Sequence, residues 1–317
     1  MTLFQSKYFQ IEKLAEGVFA AIIHPGSGCI GNAAVVDLGG RTIIWDTFQN
    51  HRAALDLRQF AMNEFEEQPI LVVNSHFHLD HCGGNQVFSD CAILSTSKTR
   101  EVMEERNPGV VDFIKKNPDF PKEFAKKVEL ETDPMKKEEM LVQLKNYEEI
   151  GEMIIDLQFT LPNITFDHSL VLHGQKRTAH LNCYGGGHTP SDLVLYLPED
   201  EILLIGDLIT VCTHPMVKHG DIEEWLKILD ILASMPIKQI FAGHGPAIGK
   251  EHLQIIQNYL SNLIQVANNA ITDGTPLEEL EKIPVPEDYS KWSLPELYTN
   301  NLKAVYTFFQ SKLQPQK

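Results

Sequence analysis

The feature that most restricts this chain is a run of metal-ligating side chains, His76-Phe-His78-Leu-Asp80-His81-Cys-Gly83-Gly84. It follows directly on the apolar segment Pro69-Ile-Leu-Val-Val-Asn-Ser75, which reads as a strand buried on both faces. Divalent ions such as zinc take neutral imidazole nitrogens and carboxylate oxygens presented from one small volume. Four such groups within six residues cannot share one helical face. On a tight loop beyond a strand they can diverge towards two adjacent ions. Gly83 and Gly84 are expected to let that loop turn sharply and to bring backbone close to the site.

The surrounding pattern is that of an α/β chain. Short β-branched runs at Gly17–Ile23, Asn32–Leu38 and Arg41–Asp46 are separated by turns such as Gly39-Gly40, and a helix is expected over His51–Glu66. Strand, helix, strand in this order implies a parallel crossover, and such sheets place their sites beyond strand C-termini. Residues 97–160 change character. They are rich in Lys and Glu, are interrupted by Pro108, Pro118, Pro121 and Pro134, and read as several helices, the longest running from Pro134 to Leu157. Asp133-Pro134 opens that helix as a cap followed by proline at the first position. The segment reads as a solvated helical insertion, with a lid over the site as the sharper alternative. Strands resume at Ile164–Leu172, Arg177–Cys183, Asp192–Leu197, Ile202–Leu208 and Gln239–Gly245, with helices at Ile222–Met235, Lys250–Ile271 and Pro295–Leu313. Residues 1–96 and 161–275 are thus two β-rich halves of one domain, 97–160 is inserted between them, and 276–317 is a C-terminal helical extension. Two such halves suggest sheet packed on sheet, with helices covering both sides.

At the histidine run the sequence resembles the metallo-β-lactamase superfamily, and four further segments extend the likeness in the family's order. They are Asp46 in Ile43-Ile-Trp-Asp-Thr47, His188 in Gly185-Gly-Gly-His-Thr-Pro-Ser-Asp192, Asp207 in Leu203-Leu-Ile-Gly-Asp-Leu208 and His244 in Phe241-Ala-Gly-His-Gly-Pro246. The resemblance implies a four-layer αββα sandwich with a helical insertion. It assigns His76, His78 and His188 to one metal and Asp80, His81 and His244 to a second, with Asp207 bridging. Asp46 corresponds to an acid that orients a ligand from behind. The implied cofactor is a pair of divalent ions, zinc in the first place and iron or manganese as alternatives. The implied reaction is hydrolysis of an ester, thioester, lactone or similar bond by hydroxide held between the ions, with Asp80 orienting it and passing its proton. Asp207 sets the chain apart from antibiotic-hydrolysing members and nearer to glyoxalase II-like thioesterases, quorum-signal lactonases and phosphodiesterases. Thr210, where homoserine-lactone lactonases have tyrosine, weakens the lactonase reading. Persulfide dioxygenases, with one iron, and a non-catalytic metal-binding regulatory protein are the competing readings.

The rest of the sequence narrows partners more than chemistry. Lys+Arg 27 against Asp+Glu 43 gives a net charge of −16, which disfavours nucleic acid, so the expected partner is a small-molecule substrate. No apolar run reaches the roughly 18 residues of a membrane span, and the first residues, Met1 onward, carry no export-signal pattern. The five cysteines lack disulfide-framework spacing, and together these observations lead to the expectation of a cytoplasmic protein with reduced thiols. A homodimer is the base-rate expectation. His24 and His214 are candidate substrate contacts, with His219, Lys218 and Tyr184 weaker ones, and Cys82 and Cys183 read as bystanders.

Overall fold

The computed structural model describes residues 4–66 and 68–313. Met1, Thr2 and Leu3, which head the segment read for an export signal, lie outside the described residues. In chain order the elements are β1 (Phe9–Ala15), β2 (Val18–Ile23), β3 (Ala33–Asp37), β4 (Thr42–Trp45), α1 (His51–Glu64), β5 (Ile70–Val73), α2 (Leu79–Cys82), β6 (Ala92–Thr96), α3 (Ser97–Lys116), α4 (Phe120–Leu130), α5 (Pro134–Met153), β7 (Ile164–Phe166), β8 (Ser169–His173), β9 (Thr178–Cys183), β10 (Leu193–Leu197), β11 (Ile202–Thr210), α6 (Ile222–Ser234), β12 (Gln239–His244), α7 (His252–Thr272) and α8 (Glu296–Leu313).

Strands β1 to β7 form a seven-stranded sheet in sequence order, and a five-stranded sheet runs β12-β11-β10-β9-β8. Alternation along the strands decides what each face covers. Val18, Ala20, Val36, Ile43 and Val73 of the first sheet meet Leu193, Leu195, Ile202 and Leu204 of the second in a shared core. The intervening residues point outward. Phe19, Val35, Ile44 and Val72 pack on Ala54, Leu57 and Phe60 of α1. On the far side Val194, Leu203 and Ile205 pack on Trp225 of α6, Leu260 of α7 and Leu302 of α8. The result is the αββα sandwich expected from the resemblance.

Four details differ from the sequence reading. The single strand expected over Ile164–Leu172 is two, because the chain changes sheets at Asp167-His168: β7 edges the first sheet and β8 the second. Strand β1 was not anticipated, since its alternating half-exposed pattern lacks an apolar run. Pro108 does not break α3, which runs 20 residues and so equals α5 in length, the latter ending at Met153 rather than Leu157. The turn before that proline is pinned by Asn107, whose Nδ2 donates to the Phe77 carbonyl at 2.7 Å, offsetting the bond that proline cannot donate. Gly83 keeps ordinary helical angles, φ −62° and ψ −31°, so the glycine pair does not make a sharp turn. Its second expected role stands: a Cβ on Gly84 would lie 2.1 Å from the Thr47 carbonyl oxygen.

The insertion α3–α5 is a crossover between the parallel neighbours β6 and β7. Its caps follow the local sequence. The Thr96 hydroxyl accepts from Thr99 N at 3.0 Å, and Asp133 accepts from Met135 N at 2.9 Å and Lys136 N at 3.1 Å. No described helix is long and apolar enough to cross a membrane.

Candidate metal centre

Two parallel strand pairs deliver the site. β4 and β5 run in register from Thr42↔Ile70 to Trp45↔Val73, so Asp46 leaves the sheet beside Asn74, Ser75 and His76. β11 and β12 are likewise parallel, and their C-terminal ends carry Asp207 and His244. His188 lies on the turn between β9 and β10. Asp192 braces that turn: its carboxylate accepts from Gly187 N at 2.8 Å and Thr189 N at 3.0 Å, and from the Thr189 hydroxyl at 2.6 Å. Gly243 leaves room for the bridging acid, since a Cβ there would fall 1.9 Å from Asp207 Oδ1.

All seven candidate ligands converge. His76, His78, His188 and Asp207 form one group and Asp80, His81 and His244 a second, with the ligand atoms of each group within 4.8 Å of one another. His78 Nδ1 is 3.0 Å from both His76 Nε2 and His188 Nε2. Asp207 joins the groups, with Oδ1 3.2 Å from His81 Nε2 and Oδ2 3.1 Å from His244 Nε2 and 3.4 Å from His188 Nε2. Asp80 Oδ2 lies 3.4 Å from His81 Nε2 and 3.5 Å from His244 Nε2. Asp46 is not among these donors and stands behind them.

The outward-facing nitrogens fix which inner atoms carry lone pairs. His188 Nδ1–H donates to the Met216 carbonyl at 2.9 Å, and His244 Nδ1–H to the Ile30 carbonyl at 2.9 Å. His81 Nδ1–H donates to Asp46 Oδ2 at 2.9 Å. The Ser75 hydroxyl gives its one proton to Asp46 Oδ2 at 2.7 Å, so it accepts from His76 Nδ1–H at 2.9 Å. Four imidazoles therefore turn Nε2 inward towards carboxylate oxygens, an arrangement that needs positive charge, proton or metal, between the two. His81 Nε2 and Asp207 Oδ1 are buried without any hydrogen-bond partner. Such a donor set fits divalent cations. His78 can offer Nδ1 inward if its Nε2–H donates to His219 Nδ1, 2.8 Å away.

The electrostatics agree. Burial, together with neighbouring imidazoles, holds His76 and His78 well below the ordinary histidine range, so they stay neutral. Burial also opposes charge on His81 and His244, but the carboxylates of Asp207 and Asp80 override it and raise both, with Asp46 adding to the pull on His81. Burial opposes charge on Asp80 and Asp207 as well, yet His81 and His244 hold both below the ordinary carboxylate range. The second group thus attracts positive charge, whether protons or metal. Asp46, fully enclosed, takes a left-handed backbone conformation at φ 57° and also accepts from Ser75 N at 2.7 Å.

A cavity of about 800 Å³ opens on the centre. Its floor is His78, Asp80, His188, Asp207 and His244, and Arg106, Val110 and Ile114 of α3 with Val142, Ile150 and Met153 of α5 wall it. His24 is not on that wall, although Ile23 and Pro25 beside it are. His214 lines it but is 1% exposed, its Nδ1 lies 3.0 Å from the Tyr259 hydroxyl, and burial brings its pKa to about 4. His219, the weaker candidate by sequence, lines it and backs His78. Sequence reasoning gave no role to Ser75, Asp192 or Asn301. Asn301 of α8 accepts from Val217 N at 3.1 Å and donates to the Pro215 carbonyl at 2.6 Å. It thereby holds the segment that carries Met216 and His219. Asp192 alone had a signal, standing in the quoted Gly-His-Thr-Pro-Ser-Asp run.

A family model described as the metallo-beta-lactamase superfamily matches residues 26–244. Comparison with curated protein sequences finds no match. Among solved structures, a metallo-beta-lactamase from Pontibacter korlensis is similar at a TM-score of 0.58 and 16% identity, over 80% of this chain and 99% of that one. The stereoselective inverting sec-alkylsulfatase Pisa1 from a Pseudomonas species is similar at a TM-score of 0.69 and 17% identity, over 98% of this chain and 52% of that one. At these identities the structural likeness speaks for the fold alone.

Proposed function

The chain belongs to the metallo-β-lactamase superfamily, and from that premise we propose that it is a hydrolase which holds two divalent ions, zinc in the first place, and cleaves an ester, thioester, lactone or similar bond in a small substrate. The observation that carries this reading is Asp207, whose Oδ1 faces His81 of one group while its Oδ2 lies between His244 of that group and His188 of the other. Two donor groups joined in this way favour a pair of ions over the single iron of a persulfide dioxygenase. Bound there, the ions would supply Lewis acidity and acidify water towards neutrality.

The chain's own groups would do the rest. Asp46 keeps His81 in the tautomer that offers Nε2, and Ser75 does the same for His76. Asp80, held ionised beside His81 and His244, accepts a hydrogen bond from the attacking water and so turns its oxygen lone pair towards the substrate carbonyl. His219, when it accepts from His78, keeps an Nε2–H for a substrate oxygen. Water adds across the bond, its oxygen to the acyl carbon and a proton to the departing atom, with no change of oxidation state. The apolar side chains that α3 and α5 contribute to the cavity suit the insertion to a role as a lid over the site.

The test is a panel of esters, thioesters, lactones and phosphodiesters run on protein of measured metal content. The account expects turnover of at least one acyl substrate by zinc-loaded protein, lost on chelation and restored by zinc. One iron per chain, with oxygen uptake on glutathione persulfide, would overturn it. Metal-loaded protein inert towards the whole panel would favour the regulatory reading.

A further inference from the structure

Positive charge is scarce in this chain, which makes its placement at the cavity informative. Arg106 of α3 is the one Lys or Arg among the residues lining the cavity. Its guanidinium lies over the Phe77 ring, 5.7 Å from the centroid, and Phe77 in turn contacts His78 and His219, with ring centroids 4.4 and 5.7 Å apart. Among the described residues Arg106 makes no ion pair, whereas Arg100 on the same helix is paired with Glu104 at 3.2 Å. Lys218, next to His219, is likewise exposed and unpaired. Glu139 of α5 is the one carboxylate on the wall outside the centre, and it makes no ion pair with Arg106.

A guanidinium stacked on an aromatic ring keeps its planar fork free for an oxyanion. The cavity lining is largely apolar: Val110 and Ile114 come from the helix of Arg106 and Val142 and Ile150 from α5, with Gln143 and Asn146 among them. An aliphatic or aromatic body placed there loses its contact with water. We propose that the substrate is an amphiphilic anion, its apolar body filling the cavity beneath α3 and α5 and its carboxylate or similar oxyanion held by Arg106 beside Phe77. The inference rests on the hydrolase reading of the same site and adds the substrate class. Arg106 acts in it as the specificity-determining residue. Because Arg106 belongs to the helical insertion, the insertion would select substrate and the sandwich would carry the reaction.

Binding separates this claim from catalysis. Decanoate, its neutral counterpart decanamide, and acetate are titrated into zinc-loaded wild type, Arg106→Gln and Arg106→Lys, with metal content measured for each. The wild type is expected to prefer decanoate over decanamide by about tenfold, and Arg106→Gln to abolish that preference without changing decanamide affinity or zinc content. Arg106→Lys should retain part of it, since a point charge lacks the fork. Acetate, which has no body to bury, should bind more weakly than decanoate in every form. A preference that survives in Arg106→Gln would mean that the metals or Lys218 take the carboxylate, and would overturn the proposal. Acetate binding as tightly as decanoate would also overturn it. The Arg106-dependent preference without turnover of any ester, thioester, lactone or phosphodiester would sink the hydrolase reading and leave the subsite standing. Turnover confined to neutral esters would do the reverse. Arg106 is exposed, so these variants do not disturb the core.

Discussion

Asp46→Asn isolates the electrostatic role of a residue that touches neither metal nor substrate. Asp46 accepts three hydrogen bonds, from Ser75 N, the Ser75 hydroxyl and His81 Nδ1, at 2.7, 2.7 and 2.9 Å. Asparagine has one acceptor oxygen and one amide that only donates. If the oxygen stays opposite the Ser75 main-chain N–H, the amide faces His81 Nδ1, which must give up its proton. The proton then sits on Nε2, the atom 3.2 Å from Asp207 Oδ1, where a lone pair is needed to hold a cation. If the amide flips, Ser75 N–H is buried without an acceptor, at a cost of about 1–3 kcal/mol. The smaller of the two penalties governs. The expected outcome is weakening of one metal equivalent by about 10–100-fold, the range for loss of an orienting partner behind a ligand. Asparagine tolerates the left-handed backbone at this position as well as aspartate does, so main-chain strain does not confuse the result. Zinc competition against a chromophoric chelator reads the two equivalents separately, and the ring-nitrogen NMR shifts of His81 report its tautomer. Two equivalents bound at wild-type affinity, with His81 still protonated on Nδ1, would refute the reasoning.

Two further outcomes follow from the same geometry. Asn301→Leu removes the support of Val217 and Pro215, and is expected to weaken zinc at the His188 side about tenfold while leaving the helical circular dichroism intact; an unchanged zinc titration would show that α8 does not position the ligands. His214, ordinarily near 6.5, is brought to about 4 by burial, so the folded protein refuses a proton that the unfolded chain accepts. Its neutral state therefore lowers stability as pH falls from 6.5 to about 4, by up to roughly 3 kcal/mol, and no further below that. Urea titrations across this window should show a flatter pH dependence for His214→Gln than for wild type, and parallel curves would contradict the assignment.

The parts of the molecule legible in the sequence were those where local pattern and long-range packing agree. β10 and β11 read as strands because their alternate residues serve two buried layers, Leu193 and Leu195 inward and Val194 and Tyr196 outward. The ligand loop was legible because metal chemistry concentrates rare residue types in six positions. β1 was not, since pairing with β2 needs backbone groups and few buried side chains. The break between β7 and β8 was hidden because each half alone has strand character, and only the two-sheet arrangement separates them. His219 and Asn301 lack a motif: their positions matter through contacts with His78 and Pro215, distant in the chain, which no local spacing encodes. His214 shows the opposite failure, a histidine beside the expected site whose aromatic neighbours Tyr259 and Trp292 enclose it.

The central claim is that Asp207 sits between two cations. A crystal of the zinc-loaded protein, measured on both sides of the zinc absorption edge, tests it directly. The account predicts two anomalous peaks about 3.5–4 Å apart, one among His76, His78 and His188 and the other among Asp80, His81 and His244, and a single peak in Asp207→Ala. One peak in the wild type at full zinc loading, or two undisturbed peaks in Asp207→Ala, would contradict it.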